Sequence, residues 1–327
     1  AHDRGRQALV EPFARRRVAA TVEEVPVGRY RRVRYPLPDP APRVSVIVPT
    51  RDRVELLRTA VGSLLEKTDY PDIEVLIVDN GSTEDETRRY FETVTAADPR
   101  VRVVTDGGPF NYSRLNNLAA AEATGAVLCL LNNDTEVSHA DWLAEMVGHA
   151  MRPEVGAVGA RLYYGDGRVQ HAGVVLGIGG IAGHVFAGLE PGQPGYFSRE
   201  ALTQCYSAVT AACLVTRREI YEQLGGLDED NLGVAFNDVD YCLRVWESGH
   251  SVVWTPFAEL YHHESASRGS DEDPTRRARF RKEVQHMRER WQAPIAADPY
   301  YNPNLSLAHD DFRLAVPPRS VKPWLKR

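Results

Sequence analysis

From Val44 to Leu131, short apolar runs alternate with segments whose apolar residues recur at helical spacing. Val44-Ser45-Val46-Ile47-Val48, closed by Pro49, predicts a buried strand, and residues 56–66 predict a helix. Glu74-Val75-Leu76-Ile77-Val78 predicts a second strand that runs into Asp79-Asn80-Gly81-Ser82. A helix over 84–94 and a third strand over 101–104 follow. An alanine-rich helix over 113–123 is stopped by Gly125, and a fourth strand over 126–131 runs into Asn132-Asn133-Asp134. Repeated strand–helix alternation predicts a mostly parallel α/β sheet with crossover helices. Ligands of such sheets sit beyond the carboxyl ends of the strands. Asp79 and Asp134 are therefore expected at one rim.

The flanks differ from this core. Residues 1–42 hold an arginine-rich stretch that predicts a short helix over 4–17 and an alternating Tyr30-Arg31-Arg32-Val33-Arg34-Tyr35 that reads as an edge strand. Pro36, Pro38, Pro40 and Pro42 make a stiff linker, so the main domain is placed at 43–270. Helices are expected over 142–149, 219–224, 239–247 and 275–290, and strands over 212–215 and 251–254. Asn237 is the expected cap of the 239–247 helix. A glycine-rich stretch over 165–195 reads as a loop-and-strand insert that helps shape a substrate pocket, with Gln170-His171-Ala172-Gly173 inside it. Residues 271–327 are expected to form a C-terminal helix and a tail that wraps the surface.

Composition narrows the classes. An apolar fraction of 43% over 327 residues supports a full core without disulfide staples. A net charge of −6 lacks the basic footprint of a nucleic-acid binder. The four cysteines, Cys129, Cys205, Cys213 and Cys242, form no CxxC pair, and a reduced cytosolic chain is the simplest reading. No apolar run reaches the roughly 18 residues of a membrane span. The first residue is Ala1, which points to an excised domain of something longer. Gly177-Ile178-Gly179-Gly180-Ile181-Ala182 matches a dinucleotide fingerprint, but no helix is expected after it, so it is set aside.

Four constellations carry chemistry. Asn132-Asn133-Asp134 at a strand end offers oxygen ligands to a hard cation, or is an ordinary turn. Asp79 at another strand end suits ribose hydroxyls or a base N–H, or stabilises a turn around Gly81. Asp238 at a helix start is exposed and rigid, as a general base needs, or simply caps. His262-His263 are adjacent on extended chain, so at most one of them faces any given site.

Taken in order, these segments resemble family-two glycosyltransferases with the GT-A fold, especially bacterial O-antigen and rhamnosyltransferase-like members. The resemblance runs from about Val44 to Arg268. It rests on Val46-Ile47-Val48-Pro49-Thr50-Arg51, Val78-Asp79-Asn80-Gly81-Ser82 and Leu131-Asn132-Asn133-Asp134, and on Gly225-Gly226-Leu227-Asp228-Glu229, Asn237-Asp238-Val239-Asp240 and His262. It implies that Asp79, Pro49, Thr50 and Arg51 line a nucleotide pocket, with Asn117 near the nucleotide. Asn132 and Asn133 stand at the family's D-x-D position. Asp134 and His262 are the implied ligands of a divalent cation, Mn2+ or Mg2+, with His263 as the fallback. Asp238 is the implied catalytic base. Two departures stand out: the D-x-D lacks its first carboxylate, and the family's Glu-Asp pair before the helix is Asn237-Asp238.

The implied activity is an inverting transfer of a sugar from a nucleotide-diphosphate donor to a hydroxyl of a glycan or lipid-linked glycan in bacterial surface polysaccharide synthesis. The implied place is the cytoplasm, peripheral at the inner face of the membrane, with other domains of a larger transferase as partners. A non-catalytic glycan-binding or scaffold module of a larger synthase is the alternative, supported by the missing acids. A nucleotidyltransferase is disfavoured, because Pro49-Thr50-Arg51-Asp52-Arg53 is not the glycine-rich loop it needs.

Overall fold

The computed structural model describes residues 2–25, 30–263 and 274–320. The boundary expected at 270–271 lies outside them. The central sheet contains β1 (Val44–Thr50), β2 (Ile73–Asp79), β3 (Val101–Thr105), β4 (Val127–Leu131), β5 (Val155–Tyr163), β6 (Cys213–Arg217) and β7 (Ser251–His262). Their order across the sheet is β7-β5-β6-β4-β1-β2-β3. The β3-β2-β1-β4 half is parallel, β6 runs antiparallel to both neighbours, and β5 is parallel to β7.

Both faces of the sheet are covered. Along β1, Val44, Val46 and Val48 point into one apolar cluster and Ile47 into the other, the period-two alternation of a strand. Helices α1 (Val54–Lys67), α2 (Asp85–Ala97) and α4 (Trp142–Ala150) supply Leu57, Val61, Phe91 and Trp142 to the first cluster. Helices α3 (Tyr112–Glu122) and α5 (Asn237–Glu247) supply Leu115, Ala119, Val239 and Tyr241 to the second. Burial on both faces explains why the strands read as continuous apolar runs. Each fully buried large apolar side chain contributes about 1.5–3 kcal/mol, and all four cysteines are free, so the core needs no disulfide.

Several expectations are adjusted by tertiary context. The strand at Ser251 does not stop at Trp254 but continues to His262, with a register break between Thr255 and Glu259 that carries Pro256. Strand β5 has no counterpart among the expected elements, although it lies between β6 and β7. The set-aside fingerprint is a hairpin: strand Val174–Leu176, a short turn, then strand Ala182–His184 antiparallel to it. The tail does not merely wrap the surface. Tyr301, Leu305 and Phe312 are buried in the same cluster as Ile47, and Asp298 accepts from Leu176 N at 2.7 Å and from Ser207 Oγ at 2.7 Å. The 31–34 strand pairs with Thr21–Glu24. No helix among the described residues is long and apolar enough to cross a membrane.

Candidate active site

The rim begins where β1 and β2 end side by side. Thr50 lies opposite Asp79 in the parallel register, and Asn80 N–H donates to the Thr50 carbonyl at 2.9 Å. Asp79 is almost wholly buried, and its Oδ1 accepts the Ser82 N–H at 2.8 Å. Gly81 between them has φ 70°, the left-handed conformation that glycine adopts without a Cβ penalty. The loop after β1 is laced to this turn. Asp52 N–H donates to Ser82 Oγ, and Asp52 Oδ1 accepts the N–H groups of Thr83 and Glu84 at 2.8 and 2.9 Å. Burial raises the Asp52 carboxyl pKa, but these two N–H donors, the Thr83 hydroxyl and the Arg51 charge together outweigh it and hold the group below its ordinary value. Pro49 is buried within β1, whereas Arg51 is exposed beside the rim.

The end of β4 meets the same rim. Asn133 Nδ2 donates to Thr50 Oγ1 at 2.9 Å, which ties the D-x-D-like segment to β1. Asp134 is 4% exposed. The extension of β7 beyond Pro256 lies against Thr135–Val137, with His262 opposite Thr135, and His263 N–H donates to the Asp134 carbonyl at 2.8 Å. His262 Nε2 lies 3.1 Å from Asp134 Oδ1 and 3.2 Å from Asn132 Nδ2. His263 points elsewhere, toward Glu136 Oε2 at 3.3 Å, and its ring stacks on Tyr261.

A lone-pair nitrogen 3.1 Å from a carboxylate oxygen is favourable only with a proton or a cation between them, or with a donor such as Asn132 Nδ2 on the lone pair. The imidazole and carboxylate donor set suits a borderline divalent cation. No group of three or more His, Cys, Asp or Glu side chains with metal-site geometry occurs among the described residues. A cation held here would have two protein ligands and open positions for a ligand's oxygens.

Asp238 stands in the first turn of α5. Its Oδ1 accepts the Val239 N–H at 2.8 Å and its Oδ2 the Ala211 N–H at 3.0 Å. The adjacent Ala212 carbonyl accepts the Asn132 N–H at 3.0 Å, so the carboxylate is linked to the end of β4 through one peptide. Asp238 is partly exposed, while Asp240 is fully buried. Asp240 accepts from Arg244 Nε and Trp291 Nε1, both at 2.8 Å, and lies 3.2 Å from Arg290 Nη1. Asn237 is not the cap: it is the first helical residue, its Nδ2 donates to the Val234 carbonyl, and Phe236 at φ 61° occupies the cap position.

Asn117, expected near the nucleotide, is tied to the segment Leu227–Glu229. Its Nδ2 donates to the Leu227 carbonyl and Glu229 Oε2, and its Oδ1 accepts from Tyr221 Oη and Leu227 N. That fills the amide's hydrogen-bonding capacity. A Cβ on Gly226 would come within 2.3 Å of Asn117 Oδ1, so the Gly225-Gly226 turn and this amide form one joint. A cavity of about 620 Å3 opens beside it, lined by Asn117, Tyr221, Asp228, Arg244 and Arg290. Asp79, Asp134, Asp238 and His262 do not line it, so the cavity does not locate the acidic rim.

Some residues of the rim escape a motif reading. Asp52 acts by lacing backbone N–H groups, and Ala211 through its N–H alone, which no side-chain pattern reveals. Gln170 leaves one trace: an amide between Val169 and buried His171, 2% exposed in the structure.

The model of the family described as Glycosyl transferase family 2 matches residues 45–225. The chain is 52% identical over 97% of its length to the uncharacterized protein y4gI of Sinorhizobium fredii, covering 35% of that protein. It is 46% identical over 95% of its length to the O-antigen biosynthesis protein RfbC of Myxococcus xanthus, covering 24% of it. The chain thus spans about a third or less of these relatives. Its fold resembles a mannosyltransferase of Pyrobaculum calidifontis solved with GDP-Man and Mn2+, at TM-score 0.55 and 20% identity over 90% of this chain and 78% of that one. The fold is GT-A, and with the family model matched over more than half of its residues, the chain belongs to glycosyl transferase family 2.

Proposed function

We propose that this chain transfers a sugar from a nucleotide-diphosphate donor to a hydroxyl of a glycan or lipid-linked glycan, with inversion, in bacterial surface polysaccharide synthesis. The observation that carries the reading is the meeting of four strand ends and one helix start at one rim. Thr50 with Asn133, Asp79, the Asp134–His262 pair and Asp238 are linked there by hydrogen bonds or by one peptide. The Myxococcus relative supports the polysaccharide setting, and the fold neighbour's ligands support a nucleotide sugar with Mn2+. The cytoplasmic side of the membrane, where activated sugars are made, is the setting proposed, with other domains of a larger transferase alongside.

In this reading Asp79, Pro49, Thr50, Arg51 and Asn133 surround the nucleotide. Asp134 and His262 would hold a divalent cation, Mn2+ or Mg2+, which supplies charge neutralisation to a diphosphate leaving group. Asn132 steadies the His262 ring. Asp238 removes the acceptor hydroxyl proton as the oxygen attacks the anomeric carbon. The bond from that carbon to the diphosphate oxygen breaks on the opposite face, so the configuration inverts. Two backbone N–H donors fix the Asp238 carboxylate, so its orientation costs little at the moment of attack.

The test is a panel of nucleotide sugars incubated with the chain and Mn2+, read as release of nucleoside diphosphate, followed by transfer to glycan acceptors. Binding without any turnover across the panel and the acceptors would favour the scaffold alternative instead.

A further inference from the structure

Gln170 occupies an unusual place in the sheet. The short strand Val169–His171 runs antiparallel to β5, pairing His171 with Leu162 and Val169 with Tyr163. Gln170 is thus the extra residue of a β-bulge, a device that re-aims a side chain. The re-aimed amide meets His262 twice. Gln170 Nε2 donates to the His262 carbonyl at 3.1 Å, and Gln170 Oε1 lies 2.6 Å from His262 Nδ1. The first bond fixes which way the amide faces. With its NH2 on a carbonyl, only the oxygen is left for the ring, and an amide oxygen can only accept. Nδ1 must therefore carry a hydrogen.

We infer that Gln170 is a positioning residue that holds the His262 ring in the Nδ1–H tautomer, leaving the Nε2 lone pair turned toward Asp134 for a divalent cation. Without Gln170 the preference would reverse. A carboxylate is a stronger acceptor than an amide, so a neutral ring next to Asp134 alone would place its hydrogen on Nε2 and close the ligand position. The short bond to Gln170 opposes that, and Asn132 Nδ2 at 3.2 Å is placed to donate to the same lone pair. Fixing a ligand's tautomer from its far nitrogen is how partners around metal sites raise ligand basicity, and their loss weakens metal affinity by about 10–100-fold. The inference rests on the metal reading above.

Two readouts test it. The first is 15N NMR of the metal-free chain at a pH where the imidazole is neutral, with the His262 resonances assigned by comparison with His262→Gln. The second is Mn2+ alone, titrated and followed by electron paramagnetic resonance of the free aqueous ion. Wild type is expected to show the Nδ1–H tautomer. Gln170→Leu is expected to shift the ring toward Nε2–H and weaken Mn2+ binding by about 10–100-fold. Gln170→Glu keeps an acceptor on Nδ1 and gives up only the donor to the His262 carbonyl, so it should return the ring to Nδ1–H and recover Mn2+ binding relative to Gln170→Leu, an outcome that general loosening of the bulge would not give. Nδ1–H retained in Gln170→Leu overturns the inference. Loss of Mn2+ binding in His262→Ala but not in Gln170→Leu overturns the lock and leaves the metal reading standing. Mn2+ binding unchanged in both variants overturns the metal reading, and the lock's purpose with it.

Discussion

His262 Nε2 and Asp134 Oδ1 lie 3.1 Å apart, brought together because the β7 extension pairs with the three residues that follow Asp134. Neither residue reaches the other by local chain geometry. Asp134→Ala is expected to weaken Mn2+-dependent binding of a nucleoside diphosphate by on the order of 10²-fold, with His262→Ala close behind. His263→Ala, whose ring serves Glu136, is expected to bind normally. Calorimetry on the three variants checks the assignment, and normal Mn2+ affinity in Asp134→Ala removes it.

Asp238→Asn keeps the shape and loses the basicity. Nucleotide binding should survive, while transfer falls by on the order of 10²-fold or more. Asp240→Asn should behave as a structural lesion, because it disturbs a buried carboxylate shared by Arg244, Arg290 and Trp291. A loss of about 3–5 kcal/mol is expected there, read in urea unfolding. Transfer at the wild-type rate in Asp238→Asn would show that the base lies elsewhere.

Asp79→Asn is expected to raise the donor KM by about 10-fold or more with a smaller change in kcat, because a charged hydrogen-bond acceptor at a ribose or base favours binding rather than chemistry. The Ser82 N–H keeps an oxygen acceptor in this variant, so the turn itself should hold. Steady-state kinetics with the preferred donor decides, and an unchanged KM contradicts the placement.

Asn117→Ala should lower stability by about 1–3 kcal/mol through the unpaired groups it leaves in the Leu227–Glu229 joint. The donor KM should stay near wild type. A large KM rise at unchanged unfolding midpoint would place Asn117 at the nucleotide pocket instead.

Glu145 supplies a pH dependence. Burial raises its pKa, but hydrogen bonds and charge from His149 and Arg32 outweigh it and bring the carboxyl down to about 2 from an ordinary 4.5. A folded-state pKa below the unfolded one stabilises the fold above pH 4.5, and this is lost as pH falls toward 2. Arg32 Nη2 sits 2.6 Å away, so the same carboxylate fastens the N-terminal segment to α4. Glu145→Gln should cost about 3 kcal/mol near neutral pH and flatten the acid limb of the unfolding curve. Chemical denaturation across that range reads both effects.

The sequence by itself determined the α/β class, the parallel half of the sheet and the positions of Asp79 and Asp134 at its rim. These follow from local physics: apolar runs buried on both faces, helical spacing between them, and polar residues where each strand leaves the core. The motif order also led to the family. Tertiary structure alone decided which side chains meet. Strand β7 passes Pro256 because a register break against β5 absorbs the residues between Thr255 and Glu259, and only then does His262 reach Asp134. Asn117 meets the turn at Gly226-Leu227, which lies more than a hundred residues along the chain. Gln170 reached His262 through a bulge that exists only once its strand pairs with β5. In each case the deciding interaction is a hydrogen bond between residues far apart in sequence, and such a bond leaves no periodic trace in the chain.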